Sequence, residues 1–501
     1  MKRMNGDRWL ASAVLLPLAI TLAIGACSDD AGGPEDAGHE RYDAIAQDIL
    51  EDGGEPGDDG AGEGEDGGFE EAGGEDGTAP EDIRTLLARV PGLDVIDAGG
   101  AGSVRFFELR YEQPVDQAEP GGATFGQSMT LAFVAADAPT VLMTEGYANM
   151  WGFERAEPAL LLDANQLVVE HRFFGLSVPD PPDWTKLDIE QAAGDHHRIV
   201  EALRPILTGP WVSTGYSKGG MTAVYHRRFH PDDVVGTVAY VAPISFGAPD
   251  ARYLAFVDAA GEPDCRARLA AVQREALLRG DALRARLDPW RFTRLGGVER
   301  AFESVVLEVP FTFWQYAGTT YCGSVPVVPG ASDDALFSFI DRFVGFDSAG
   351  DADMDWFAPY YYQAREQLGF PDVDRESLAD LLRTGAPSLE EGVLPAGAPV
   401  PAYDPAPMAD IARWVAEDGA RLIFVYGQWD PWTAGAFETG AAVDSFRFVV
   451  AGGTHSSQLG DLPAAEQAVA HEALERWTGV HVRALPKASI PAPRLPRHPV
   501  F

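Results

Sequence analysis

Residues 213–243, "STGYSKGGMTAVYHRRFHPDDVVGTVAYVAP", decide the fold of this chain. They contain Gly215-Tyr216-Ser217-Lys218-Gly219, a serine between two glycines. A Gly-x-Ser-x-Gly recurs by chance, so its surroundings carry the reading. "PWVSTGY" before the serine reads as a strand buried on both faces, "KGGMTAVYHRRFHP" after it as a helix, and "VVGTVAYVAP" as the next buried strand. A strand that turns sharply into a helix at a glycine-flanked serine is a nucleophile elbow. The serine takes a strained backbone there, and small neighbours let strand and helix approach. Ser217 Oγ is then expected above the sheet, with the Lys218 N–H aimed where an oxyanion forms.

The same alternation extends outward. "SVRFFELRYEQPV" and "QSMTLAFVAA" alternate apolar and polar residues, as half-buried antiparallel strands do. "PTVLMTEG" and "NQLVVEHRFF" are apolar runs suited to a parallel sheet, and "DIEQAAGDHHRIVEALRPIL" is a helix before the elbow strand. Beyond residue 248 the pattern stops, and 249–405 read as a mainly helical insertion rich in Phe, Tyr and Trp. The strands then return as "RLIFVYG" and "SFRFVVAGG", followed by the helix "PAAEQAVAHEALERWTG", whose Ala465, Val469, Ala473 and Trp477 are expected to face inward. The expected class is therefore α/β: one sheet domain over 100–248 and 406–482, interrupted by a helical insertion over 249–405.

A serine needs a base to attack. In sheets of this type the acid follows the seventh strand and the histidine the eighth. "QWDPW" after "RLIFVYG" offers Asp430, and "THSSQ" after "SFRFVVAGG" offers His455. His455 would take the Oγ proton and return it to the leaving group, while Asp430 fixes the imidazole tautomer. His196, His197, His226 and His230 fall on helices and read as packing or surface residues, and His171 as structural. The second oxyanion donor is expected from "TEGYANMWG", as the N–H of Gly146 or Tyr147.

The N-terminus carries different information. "MKRMNGDRWLASAVLLPLAITLAIGAC" has a basic start, an apolar run and a small residue before Cys27, which is a secretory signal of residues 1–27. Its ending, Ile24-Gly25-Ala26-Cys27, resembles the lipobox of bacterial lipoproteins, in which the cysteine is lipidated. Residues 28–99 read as an acidic, glycine-rich tether, and 28–78 hold almost nothing to bury. That stretch carries roughly half of the net charge of −39, so the charge belongs mainly to a spacer. With Cys27 lipidated, Cys265 and Cys322 remain as a pair for a disulfide in an oxidising compartment, with two free thiols as the alternative. Residues 483–501 form a proline-rich tail expected to lie extended on the surface. The absence of basic patches argues against a nucleic-acid partner, and no metal or organic cofactor is implied.

The serine block, together with "NQLVVEHRFFG", "YGQWDPWTAGAF" and "GGTHSSQLGDLP", resembles the bacterial secreted serine tripeptidyl aminopeptidases, allied to the lysosomal prolylcarboxypeptidase and dipeptidyl peptidase group. The resemblance spans roughly 100–480. It implies an α/β-hydrolase core, a helical cap over the active site, a triad of Ser217, Asp430 and His455, and release of short peptides from free N-termini. Ile244, where a polar residue is expected after "VAP", and Thr454, where an asparagine is expected before the histidine, depart from the family pattern; the first bears on substrate preference. An enzyme that counts from a free N-terminus must hold an ammonium, which asks for carboxylates in the cleft. Glu145 and Glu170 are the candidates, with pairing to Arg172 or another structural arginine as the alternative. The expectation is an exported serine exopeptidase tethered to the cell envelope through a lipid anchor. An ester hydrolase on the same fold and a non-catalytic binding lipoprotein are the rivals.

Overall fold

The computed structural model describes residues 81–384 and 392–496; the signal, Cys27 and the acidic stretch up to residue 80 lie outside the described residues. One nine-stranded sheet runs through the core in the order β1-β2-β3-β5-β4-β6-β7-β8-β9. Its strands are β1 (Leu93–Ala101), β2 (Val104–Pro114), β3 (Thr124–Phe133), β4 (Thr140–Thr144), β5 (Asn165–Val169), β6 (Trp211–Tyr216), β7 (Gly236–Tyr240), β8 (Leu422–Gly427) and β9 (Phe446–Val450). β1 to β3 form an antiparallel meander that joins β5, and β5 to β9 are parallel through β4.

The folded part begins earlier than residue 100. Helix α1 (Ile83–Leu87) and strand β1 both fall in the segment read as tether. β1 is an edge strand whose residues are mostly exposed, so "LDVIDAGGA" lacks the apolar periodicity that betrays a strand. It is held by pairing to β2 and by Leu93, Ile83 and Leu87 in the core. The extra strand shifts the count by one: the expected acid and base now follow β8 and β9.

Further helices include α2 (Glu157–Leu161), α3 (Ile189–Leu203) and α4 (Lys218–Phe229), then α5 (Arg252–Ala259), α6 (Pro263–Leu278), α7 (Val298–Tyr316), α8 (Asp333–Phe343) and α9 (Asp351–Gln363) in the insertion, and finally α10 (Ala406–Glu417) and α11 (Ala464–Thr478). Alternate residues of the central strands serve opposite layers. Val141, Met143, Ile423 and Val425 pack with Leu161, Ala470, Ala473, Leu474 and Trp477 of α2 and α11. Leu422, Phe424 and Tyr426 pack with Val224, Ile411 and Val415 of α4 and α10. Helices on both faces of a mainly parallel sheet, with a nucleophile turn after a central strand, make an α/β-hydrolase fold.

The inward face of α11 differs from the expected one. Ala473 and Trp477 are buried, but Val469 is exposed and Ala465 lies at the surface. The buried stripe is Ala470, Ala473, Leu474 and Trp477, the i, i+3, i+4, i+7 spacing of an α-helical face. The insertion has its own core, in which Cys265, Leu269 and Val272 of α6 meet Phe302, Phe313 and Trp314 of α7 and Phe339 of α8. Cys265 and Cys322 are joined in a disulfide, with Cα atoms 5.4 Å apart. Pro310 lies inside α7 and cannot donate to the carbonyl one turn back; Gln273 Nε2 donates to Val306 O at 2.9 Å in its place, and the helix continues. The tail is tied down through residue 496: Gln458 Nε2 donates to Pro491 O, and Arg494 pairs with Glu154.

Candidate active site

Ser217 ends β6 and caps α4 with φ 52° and ψ −124°, a left-handed backbone that a side chain adopts only under strain. The glycines around it are required by space. A Cβ on Gly215 would meet Gly219 O at 2.3 Å, and one on Gly219 would meet Thr144 O at 2.5 Å. The turn thus presses the start of α4 against β4, and the Ser217 N–H is satisfied by Tyr240 O on β7.

The structure brings together the residues singled out as a triad. His455 Nε2 lies 2.9 Å from Ser217 Oγ, and His455 Nδ1 lies 2.7 Å from Asp430 Oδ2. Asp430 is fully buried, and burial pushes its carboxyl up while the His455 contact opposes that shift. Its other oxygen accepts from Trp432 N, so it is a turn aspartate as well as the histidine's partner. The loop holding His455 is anchored from the insertion: His455 N donates to Gln315 O at 2.8 Å, and the Tyr316 ring meets the imidazole edge-on at 6.2 Å.

Two backbone N–H groups at the elbow lack a backbone acceptor among the described residues. The Lys218 N–H opens α4 and has no acceptor in its own helix. The Gly146 N–H has no protein acceptor among the described residues. Gly146 packs directly on the elbow, since a Cβ there would meet Lys218 Cβ at 2.6 Å and Gly219 N at 2.8 Å. The Lys218 side chain is buried and folds back so that Nζ donates to Gly146 O at 2.6 Å. Nζ also lies over the Tyr147 and Phe174 rings at 5.4 and 5.2 Å, and burial holds its pKa well below the ordinary lysine value.

Residues 78–495 match the profile of PS-10 peptidase S37. The chain belongs to peptidase family S37. It is 42% identical over 421 residues to the prolyl tri/tetrapeptidyl aminopeptidase of Streptomyces mobaraensis, covering 82% of this chain and 88% of the relative. A shorter similarity, 27% over 160 residues and 30% of each chain, links it to the human lysosomal Pro-X carboxypeptidase. Among solved structures, a proline iminopeptidase from Mycobacterium smegmatis aligns at 12% identity and a TM-score of 0.33 over 74% of this chain and 98% of that chain. As an S37 member the chain is a serine peptidase, and its fold is assigned from its own sheet order.

The two carboxylates expected to receive a substrate ammonium also hold backbone N–H groups in this S37 chain. Glu145 Oε1 accepts from Met150 N and Trp151 N, and burial pushes its pKa to about 8. Glu170 accepts from Asn149 N, Leu176 N and Ser177 Oγ, and burial raises its pKa too. Both carboxylates brace the loop after β4 and the turn after β5, because that irregular backbone has N–H groups no strand can satisfy. Neither pairs with Arg172, which makes a fully buried two-pronged ion pair with Asp195 of α3.

The remaining histidines lie apart from the triad. His197 Nδ1 and His226 Nε2 both reach Asp233, just past the C-terminal end of α4, while Ser217 caps its start. The ligating atoms of His197, His230 and Asp233 lie within 4.8 Å of one another, a grouping the sequence did not reveal. The contacts of His197 to both Asp233 oxygens account for it as a hydrogen-bonded cluster.

Sequence reasoning also missed Glu157, Gln315 and Tyr316. Glu157 is buried, takes the Tyr240 hydroxyl and accepts from Leu459 N and Gly460 N, so it holds the segment just after His455; burial pushes its pKa to about 7. An acidic residue at a helix start reads as ordinary dipole complementation. Gln315 and Tyr316 gave no signal, because nothing local places a cap helix beside a loop more than a hundred residues away.

Proposed function

We propose that this S37 peptidase removes tri- or tetrapeptides from free N-termini of peptide substrates through an acyl-enzyme, and that it does so from the cell envelope. The observation that carries the proposal is the buried Ser217–His455–Asp430 chain of hydrogen bonds beneath a helical insertion. The 42% identity to an enzyme named for tri- and tetrapeptide release supports the substrate class. Ser217 Oγ attacks the scissile carbonyl as His455 Nε2 takes its proton, and the tetrahedral oxyanion receives the Lys218 and Gly146 N–H groups. His455 then protonates the leaving amine. The short N-terminal peptide stays esterified to Ser217 until water, deprotonated by His455, releases it. The insertion limits access: Ser217 is only 8% exposed and His455 2%.

The test compares a tripeptide p-nitroanilide with a free and with an acetylated N-terminus. A much larger kcat/KM for the free form supports the reading; equal values refute N-terminal counting. For the envelope location, the lipobox-like Ile24–Cys27 and the acidic spacer motivate a lipid anchor on Cys27. The Cys27→Ser protein should then appear in the soluble fraction with its peptidase activity unchanged, and persistent membrane association would refute the anchor.

A further inference from the structure

Histidines gather at the end of the elbow helix that lies away from Ser217. His196 and His197 belong to α3, His226 to the last turn of α4, and His230 caps that helix. His226 and His230 are four residues apart and so share one helix face. The rings touch in series: His196 and His226 at 5.7 Å, His226 and His230 at 6.0 Å, and His230 and His197 at 4.1 Å. Asp233, in the turn after α4, is only 4% exposed and meets both His197 and His226. We propose that His197, His230 and Asp233 bind a divalent transition-metal ion, with zinc(II) preferred, which ties α3 to the end of α4. The inference goes beyond the peptidase reading and does not depend on it.

The donor set suits zinc. Two imidazole nitrogens and one carboxylate oxygen supply three ligands, and water completes a tetrahedron. The ligating atoms of the three residues lie within 4.8 Å of one another. His197 Nδ1 is 2.9 and 3.1 Å from the two Asp233 oxygens, close to the edge of about 3.3 Å in a tetrahedron with bonds of about 2.0–2.1 Å. The ion takes the place of the proton between them, and the imidazole adopts its other tautomer. His230 has to approach by at most about 1.5 Å. Its ring stacks on His197 at an interplanar angle of 7° and makes no hydrogen bond among the described residues. Turning either ring about χ2, a broad torsion in histidine, makes the two lone pairs converge.

The surroundings support such a site. His226 Nε2 donates to Asp233 Oδ2 at 2.8 Å, the outer hydrogen bond that orients a ligating carboxylate. Asp233 N donates to His230 O across a turn that contains Pro231, so two of the ligands come from one stiff turn. The last carbonyls of α4 place partial negative charge beside the ion. Arg204 is the competing cation, but it stands 3.8 Å from Asp233 Oδ1, donates instead to Asp233 O and also faces Glu201. His197 borders an open recess of about 730 Å³ and its side chain is 37% exposed, which gives an ion its path from solvent. The twelve residues of α4 put the site about 18 Å along the helix from Ser217, so the ion steadies the elbow helix and takes no part in peptide cleavage.

The experiment strips the full chain with EDTA and titrates it with zinc(II) by calorimetry and with cobalt(II) by visible absorption, in the wild type, His230→Gln and His197→Gln. Fluorophosphonate labelling of Ser217 shows which proteins are folded. The wild type should take up one zinc per chain, give the d–d bands of four-coordinate cobalt, and unfold several degrees higher with zinc present. Each variant should bind zinc at least about 100-fold more weakly and lose the thermal shift. A wild type that binds no zinc overturns the site. So does a labelled variant that binds zinc as tightly as the wild type, because the ion then sits elsewhere. Should one variant fail to label, the other decides alone.

Discussion

Lys218 Nζ donates to the Gly146 carbonyl at 2.6 Å, so the residue after the nucleophile also holds the loop that faces it. The contact is buried and crosses from the start of α4 to the end of β4. It fixes the spacing between the two N–H groups that would receive an oxyanion, and the Tyr147 and Phe174 rings keep the amine in place.

Replacing Lys218 by Met keeps the volume and removes the donor. A buried Gly146 carbonyl left without its partner should cost about 1–3 kcal/mol, felt as movement of the loop. We expect kcat for peptide hydrolysis to fall about 10- to 100-fold with little change in KM, because the loss arises where the transition state is held. Steady-state kinetics on a tripeptide p-nitroanilide check this; a pure KM effect would show that the loop serves binding instead.

Asp430→Asn retains the shape of the turn and its acceptor for Trp432 N, but disfavours the tautomer that places a lone pair on His455 Nε2. The expected fall in kcat is about 10⁴-fold. The same variant should react with a fluorophosphonate far more slowly than the wild type. Comparable labelling rates would show that Asp430 only holds the turn.

Burial raises the folded pKa of Glu145 to about 8, from an ordinary value of 4.5. Between those values the folded chain holds a proton the unfolded chain has lost, so stability falls as pH rises through that window. Glu157, raised to about 7, acts in the same direction over a narrower range. Glu145→Gln keeps an acceptor for Met150 N and Trp151 N but cannot ionise. Urea unfolding between pH 5 and 8 should show the wild type losing stability with rising pH and the variant losing less, by at most about 1.4 kcal/mol per pH unit. Parallel curves would show that the Glu145 proton is not held in this window.

The Cys265–Cys322 bridge closes a loop of sequence separation 57 within the cap core. Constraining that loop in the unfolded chain is worth about 4 kcal/mol in the chain-entropy account. The Cys265→Ala/Cys322→Ala protein should unfold at clearly lower urea concentration, followed by tryptophan fluorescence, to which Trp290, Trp314 and Trp356 of the insertion contribute. An unaltered midpoint would mean that the apolar core alone sets cap stability.

The reactive order of this chain is written locally. Three chemical groups each follow the carboxyl end of a parallel strand, and parallel strands present those ends at one edge of the sheet. Ser217, Asp430 and His455 could therefore be named from runs such as "PWVSTGY" and "RLIFVYG" before any contact was known. The elbow glycines were legible for the same reason, since a tight strand-to-helix turn leaves no room for a Cβ.

Other features depend on what comes near from far along the chain. β1 escaped notice because an exposed edge strand rich in Gly and Asp is stabilised by pairing rather than by apolar alternation. The buried face of α11 was misassigned because a strict four-residue spacing drifts about 40° per step around the helix, and Val469 is exposed. Glu145 and Glu170 were chosen as ammonium ligands by position; that both also accept from backbone N–H groups of folded loops could not be read from the sequence. The sequence by itself determined the sheet, the elbow and the order of the triad, because strand periodicity and turn sterics act over a few residues. Tertiary structure alone decided which carboxylates are engaged and that α7 of the insertion lies against His455, because burial and hydrogen-bond satisfaction depend on partners brought together only when the whole chain folds.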